Sequence, residues 1–205
     1  MKPSDYLNAA RVPNALQPQE FGLWSIQRKT FSRETKAGAI QIALVGWPSQ
    51  TILLRMTEAT LHLDGVIVME DGVSELRRHL PIWLAARGRV LVTGLGLGCV
   101  LRGLLAKPEV EHVDVIEIDA DIIRVVGAEF DGNPRAAIHH GNALTMQWPA
   151  VTRWDYAWHD LWIEQENKLQ LDHMAAMLHF KDQVPKQGAW AFPKFIKRRS
   201  SMLLG

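Results

Sequence analysis

The sequence has little of what several protein classes depend on. Its 205 residues include one cysteine, Cys99, which excludes an internal disulfide framework and a cysteine-based zinc site. Lysine plus arginine number 23 against 22 aspartates plus glutamates, a balance that argues against a dedicated binder of polyanions. No apolar run approaches membrane-spanning length, and the N-terminus lacks the apolar core of a signal peptide. We therefore expect a cytoplasmic protein without a membrane partner.

The N-terminal third divides into two parts. Residues 1–20 are polar and contain three prolines, and we expect a loose N-terminal arm there. Residues 21–70 carry short β-type runs and predict a small antiparallel β-domain; the runs are Trp24–Phe31, Ala39–Val45, Ile52–Met56 and Leu61–Leu63. The sequence Leu63-Asp64-Gly65-Val66 is typical of a tight hairpin turn, because an Asp-Gly pair readily adopts the positive φ angles that such a turn needs.

The remainder, residues 71–205, alternates between helical and strand patterns. A helix is expected from Val73 to Ala86, kinked or divided by Pro81. Strand patterns then cover 89–94, 112–118, 136–140, 156–159 and 188–192, with helical patterns at 98–107, 120–130 and 165–184. Repeated βαβ units with continuous apolar strands predict a mostly parallel sheet covered by helices on both faces, which is a Rossmann-like α/β fold.

A glycine-rich turn ends the first of these strands. Gly94, Gly96 and Gly98 follow Val-Leu-Val-Thr and precede a helical pattern. Glycines at this point allow a tight turn and a close approach of ligand to backbone. The fingerprint of dinucleotide-binding enzymes places its third glycine at position 99, where this chain has Cys99. The spacing therefore favours an adenosyl-amino-acid ligand over a nicotinamide dinucleotide.

Two acids end the next strand, in Val115-Ile116-Glu117-Ile118-Asp119. An acid about 20 residues after such a glycine turn is where a ribose hydroxyl pair is held. We assign Glu117 to that role, and we assign Asp119 to capping the helix that begins near Ala120.

Polar residues also follow the third and fourth strands. Asn142, in Gly141-Asn142-Ala143, can meet an adenine amino group or can simply form a turn. His159-Asp160 can serve as a general base or hold an amine by charge; equally, Asp160 can cap a helix while His159 packs in the core.

Three further features have simpler explanations. The tryptophans at 148, 154, 158 and 162 indicate a core or subunit contact more than an aromatic wall over a ligand. The basic tail Lys194–Arg199 is more typical of a solvated terminus than of a nucleic-acid contact. His139-His140 lacks partners at metal-ligand spacing, so no metal site is predicted.

Together, Val90–Gly98, Glu117-Ile118-Asp119, Gly141-Asn142-Ala143 and the strand ending at Asp160 resemble the S-adenosylmethionine-dependent methyltransferase fold. The segment Leu63–Ile67, the pair Glu70-Asp71 and the helix before the glycine strand resemble its spermidine synthase branch more particularly. That resemblance implies a homodimer and S-adenosylmethionine, or a decarboxylated or demethylated relative of it, as cofactor.

By position, the resemblance implies that Gly94, Gly96 and Gly98 line the amino-acid end of the cofactor and that Glu117 holds the ribose. Asn142 and Ala143 would meet the adenine, and Asp160 would face the reacting centre as the catalytic residue. Leu95 and Ile118, which adjoin these positions, are included among the cofactor-binding residues.

Several family features are replaced. The branch's tyrosine and histidine after the hairpin fall near Leu76 and Arg77, and its paired aspartates become Asp160-Leu161-Trp162-Ile163. The chain also ends soon after residue 192, so we expect a sheet truncated at its C-terminal edge, without the usual closing hairpin.

The sequence therefore predicts a methyltransferase-like enzyme that acts on a small molecule and lacks the residues of aminopropyl transfer. We do not expect nucleic acid as its partner. A non-catalytic dimeric binding or scaffold protein descended from the same fold is the alternative, and an NAD-dependent dehydrogenase is disfavoured by Cys99.

Overall fold

Two β-sheets with flanking helices make up the computed structural model, which describes residues 1–56, 65–161, 166–190 and 192–197. The side chains of 166–170 and 192–197 are outside this description. The predicted Leu61–Leu63 strand, Asp64 of the predicted turn and Trp162 therefore lie outside the described residues. In what is described, no helix is long and apolar enough to cross a membrane.

The N-terminal sheet is antiparallel with strand order β1-β2-β3-β4. Its strands are β1 (Gln19–Phe21), β2 (Trp24–Thr30), β3 (Ser49–Arg55) and β4 (Val66–Glu70). The predicted antiparallel β-region is thus present. The Ala39–Val45 strand prediction is wrong, because helix α2 (Lys36–Val45) occupies that stretch. The Thr35 side chain accepts from Gly38 N at its start, and Gly46 ends it in a left-handed conformation.

Residues 1–20 are not the loose arm we expected. They contain helix α1 (Pro3–Ala9), and five of their apolar side chains are buried in the main core: Tyr6, Leu7, Ala10, Val12 and Leu16. Pro3 stands at the start of α1, where its missing N–H costs nothing. Tyr6, Leu7 and Ala10 then share one helical face, which packs against α4 (Leu80–Ala85) and α5 (Cys99–Leu105).

The second sheet has the order β10-β9-β8-β5-β6-β7, in which β5 to β9 are parallel. Its strands are β5 (Gly88–Thr93), β6 (Val110–Glu117), β7 (Ala136–His140), β8 (Tyr156–His159), β9 (Lys186–Ala189) and β10 (Phe192–Lys197). The remaining helices are α3 (Val73–Arg78), α6 (Ala120–Val125), a 3-10 turn at Gly127–Phe130, and α7 (Glu166–His179). Pro81 stands in the first turn of α4, and α3 ends just before it, so the predicted helix is divided as expected.

This topology confirms the predicted fold class: a Rossmann-like methyltransferase fold with a small N-terminal antiparallel sheet. The expected lack of a closing hairpin is wrong, because β10 turns back and pairs antiparallel with β9. Side chains on β5 alternate between two cores, Val90 and Val92 in one and Leu91 in the other. Both faces of the sheet are therefore buried, and in such a sheet the ligand crevice lies at the carboxyl ends of the strands.

Candidate functional site

A cavity of about 580 Å³ opens at the carboxyl ends of β5, β6 and β8, on the side that the N-terminal sheet covers. It brings together most of the residues that the sequence singled out: Gly94, Gly96, Glu117, Ile118, Asn142, Ala143 and Asp160. Leu95 and Gly98 do not line it. Leu95 instead contributes its backbone N–H to the site, and Gly98 precedes α5 against the Phe130 ring.

The glycine loop brings neighbouring elements close to its backbone. Gly94 has φ +93°, and a Cβ there would collide with the carbonyl oxygen of Asp160. A Cβ on Gly96, which has φ +51°, would lie 2.7 Å from the Met69 sulfur. The glycines are therefore needed both for their φ angles and for the close approach of β4 and β8.

Two amides of this loop are hydrogen-bonded to side chains of the protein. Leu95 N donates to Glu117 Oε2 at 2.7 Å, and Leu97 N donates to the Met69 sulfur at 3.3 Å. The first of these bonds fixes the Glu117 carboxylate beside the glycine turn, as the sequence predicted for an acid at that position.

Glu117 is 7 % exposed, and its second oxygen accepts from Asp119 N at 2.9 Å. Burial raises the pKa of this carboxyl, and its backbone hydrogen bonds only partly oppose that effect. The Ile118 amide also acts on this carboxyl, and a carboxylate has about four acceptor positions, so about one position remains for a hydroxyl donor.

Asp119 caps α6, as expected: its Oδ1 accepts from Asp121 N and Ile122 N. Its Oδ2 accepts from Trp24 Nε1 at 2.8 Å and from Arg55 Nη1 at 3.3 Å. Burial works against ionisation here, but these donors prevail and lower the pKa of Asp119. The same carboxylate thus caps a helix and ties the N-terminal sheet to the cavity wall.

After the third strand, Asn142 has features of both roles that the sequence allowed, the turn and the adenine contact. Asn142 Oδ1 accepts from Leu144 N at 2.8 Å, which is the turn-forming contact. Asn142 and Ala143 nevertheless line the cavity, as does Ile118, whose residue surface is 63 % exposed. An exposed isoleucine at a cavity rim is apolar surface that the flat face of a ligand could cover.

The His159-Asp160 pair is split by the fold. His159 is fully buried, with Nδ1 3.0 Å from Thr93 Oγ1 and Nε2 3.0 Å from Gln187 Oε1, and burial lowers its pKa to about 4. His159 is therefore packed in the core, which was one of the two alternatives that the sequence allowed. Asp160 instead lines the cavity, where burial, together with Glu75 and Glu117, raises its pKa to about 8.

Sequence reasoning missed several lining residues, among them Trp24, Arg55, Met69, Glu75, Asp172 and Trp190. Trp24 and Arg55 face each other across β2 and β3, a pairing that no local motif announces. Glu75 accepts from Trp190 Nε1 at 2.6 Å, joining α3 to the end of β9. Burial raises the pKa of Glu75.

Among the described tryptophans of this region, Trp154 and Trp158 lie in the core, as expected, with 2 % and 0 % of their surfaces exposed, and Trp148 is partly buried. Trp154 and Trp148 meet edge to face at 5.0 Å, away from the cavity.

Comparisons with known proteins add partial matches. No family model matches the chain. A spermidine synthase of Coffea arabica is 34% identical over 98 residues, which cover 42% of this chain and 31% of that protein. The chain thus spans about a third of the length of the curated relative it matches.

Solved structures that are similar include a dimethyladenosine transferase from Plasmodium falciparum and the 23S rRNA methyltransferase ErmE. The first has 17% identity and a TM-score of 0.41, and covers 58% of this chain and 41% of that one. The second has 16% identity and the same TM-score, with coverage of 57% and 44%. The topology described above agrees with the predicted methyltransferase fold.

The expectation that nucleic acid is not a partner is wrong as an exclusion, because a 23S rRNA methyltransferase is among the similar structures. Charge balance describes the whole chain and does not fix what one edge of a fold binds. The homodimer stays a prediction.

Proposed function

We propose that this protein is an S-adenosylmethionine-dependent transferase, related to spermidine synthases, that acts on a small-molecule acceptor. The observation that carries the proposal is the Glu117 carboxylate, which Leu95 N holds at 2.7 Å beside the glycine turn and which lines a cavity of about 580 Å³. An acid at that place suits a ribose hydroxyl pair.

The lining residues that the sequence singled out would then have the following roles. Gly94 and Gly96 leave the backbone bare beside the amino-acid end of the cofactor, and Glu117 accepts from the ribose hydroxyls. Ile118, Asn142 and Ala143 pack around the adenine. The bound cofactor supplies an electrophilic carbon on a positively charged sulfur. The ionised form of Asp160, which is the minor form at neutral pH because its pKa is raised to about 8, receives the proton that the amine or hydroxyl of the acceptor releases.

The charge of the cavity favours positively charged occupants. Five acids line it: Glu75, Glu117, Asp119, Asp160 and Asp172. The pKa values of Glu75, Glu117 and Asp160 are raised, so a cation bound here would also favour their ionised forms. Among the described lining residues Arg55 is the one cationic side chain, and it is already engaged by Asp119 at 3.3 Å. A sulfonium centre and an amine suit this field, whereas a free cofactor carboxylate would meet no uncommitted cation among these residues.

The test is calorimetric titration with S-adenosylmethionine, its decarboxylated form and S-adenosylhomocysteine. We expect at least one of them to bind in the micromolar range, with the decarboxylated form tighter than S-adenosylmethionine. Glu117→Ala should weaken that ligand at least ten-fold, about 1.4 kcal/mol, while Glu111→Gln at the exposed start of the same strand should not. Absence of binding below millimolar for all three ligands would overturn the proposal.

The acceptor is then sought with small amines, small hydroxyl compounds and RNA in parallel. Turnover on a small molecule supports the proposal. Turnover on RNA alone contradicts the proposal of a small-molecule acceptor. Cofactor binding without any turnover contradicts the proposal that the protein is a transferase.

A further inference from the structure

Behind Asp160 stands a histidine that the proposed function does not use. His79 lies between α3 and α4 and has no exposed surface. Its ring is held between two tryptophans, with centroids 5.6 Å from Trp83 and 6.0 Å from Trp158. Packing against these two rings therefore fixes the position of the His79 ring.

One hydrogen bond determines where the proton of His79 sits. Trp158 Nε1 approaches His79 Nδ1 at 3.1 Å. An indole N–H is a donor only, so Nδ1 must accept, and a neutral ring then carries its proton on Nε2. Burial, helped by the nearby Arg78 charge, lowers the pKa of His79 to about 3, so the ring is neutral at physiological pH.

The Nε2–H donor of His79 faces the cavity carboxylate. Nε2 is buried without a hydrogen-bond partner among the described residues, and it lies 3.9 Å from Asp160 Oδ2. That distance is too long for a hydrogen bond, and a rotation of the carboxylate that moves Oδ2 by about 1 Å would bring it within hydrogen-bond distance. A buried donor left unsatisfied is costly, which favours the closed arrangement once Asp160 carries charge.

We propose that His79 is a positioning residue for Asp160: held by Trp158, it donates Nε2–H to Oδ2 of the ionised carboxylate and leaves Oδ1 directed into the cavity. This inference rests on the proposed function for its catalytic meaning, since the oxygen left free is the one that receives the proton of the acceptor. The hydrogen bond itself is independent of any ligand.

The His79 Nε2–H matters because the acidic neighbours of Asp160 oppose the ionisation of its carboxyl. Glu75 on α3 and Glu117 on β6 both face Asp160 and oppose its ionisation, and Arg78 is the charged neighbour on the His79 side. A neutral donor stabilises the carboxylate without adding a second charge to this cluster. Loss of the donor should therefore make Asp160 harder to ionise.

The experiment measures two quantities in the ligand-free protein. Carboxyl carbon NMR gives the pKa of Asp160, with its signal assigned by its absence in Asp160→Asn. We expect that pKa to rise by about one unit in His79→Phe, the size of one charge-assisted hydrogen bond, and to return toward the wild-type value in His79→Gln, which keeps an N–H donor. An unchanged pKa in a folded His79→Phe protein would overturn the proposal.

Nitrogen NMR of the wild type covers the case in which His79→Phe fails to fold. It should show neutral His79 with its proton on Nε2, and the opposite tautomer contradicts the inference. Calorimetry with S-adenosylhomocysteine is run on the same samples. If that ligand does not bind but the pKa of Asp160 still responds to His79, the proposed function fails while the contact stands.

Discussion

At the scale of single residues, Asp160 is a buried acid whose ionised form destabilises the folded protein. Its pKa is raised from 3.8 to about 8 by burial and by the neighbouring acids Glu75 and Glu117. Between these values the unfolded chain ionises Asp160 while the folded protein keeps it protonated. Stability from this group is therefore fully present below about pH 4 and is lost as the pH rises to about 8.

Asp160→Asn removes that titration. We expect the variant to exceed the wild type in free energy of unfolding by about 1 to 3 kcal/mol at pH 9. The difference should shrink toward pH 5, because the wild-type carboxyl is then protonated in the folded state. Urea denaturation at several pH values measures it, with exposed Asp131→Asn as the control. A difference that does not vary with pH contradicts the assignment.

At the scale of elements, the site depends on how closely the β5 loop approaches the end of β8. Gly94 and Gly132 both have positive φ angles, +93° and +74°, so alanine strains the backbone at either position. A Cβ at Gly94 collides with the Asp160 backbone, whereas at Gly132 nothing lies within 4 Å. The pair separates steric crowding from backbone strain.

We expect Gly132→Ala to cost about 1 kcal/mol of stability. Gly94→Ala should cost at least about 2 kcal/mol more, because the β5 loop must move away from Asp160. Thermal denaturation measures the first effect, and weakened binding of S-adenosylhomocysteine by Gly94→Ala alone reports the second. Equal costs at the two positions would show that crowding at Gly94 is unimportant.

Periodicity succeeded best for the parallel sheet, since β5, β6 and β8 are short apolar runs ending in distinctive residues. It failed for α2, where the apolar run 39–45 resembles a strand although Thr35 and Gly46 mark the two ends of a helix. Glu117 was found because an acid and a glycine turn keep a fixed spacing. Trp24 and His79 were missed because partners 95 and 81 residues away, Asp119 and Asp160, give them their roles.

At the scale of the whole molecule, the N-terminal segment is locked to both parts of the fold. Asp71, fully buried, accepts from Arg11, from Val12 N at 3.2 Å and from Thr51 N at 2.7 Å. The guanidinium of Arg11 also lies 4.5 Å from the centre of the Trp47 ring. These contacts explain why residues 1–20 form part of the core despite their polar composition.

Removing this junction should destabilise the protein as a unit. Asp71→Ala leaves Arg11 Nε and two backbone amides without their acceptor, while Arg11 Nη2 still donates to Ser49 O at 2.8 Å. We expect a loss of about 3 kcal/mol. Asp5→Ala, at the exposed start of α1, should cost about 1 kcal/mol or less. A loss for Asp71→Ala as small as that of the control would mean that the segment is only loosely held.

The proposed function requires an adenosyl ligand in the cavity with its ribose on Glu117. A crystal structure of the protein with S-adenosylhomocysteine at saturating concentration would show where the ligand and its ribose lie. We expect ribose hydroxyls within hydrogen-bond distance of the Glu117 carboxylate and the ligand sulfur on the Asp160 side of the glycine loop. A ligand bound elsewhere, or a ribose that makes no contact with Glu117, would contradict it.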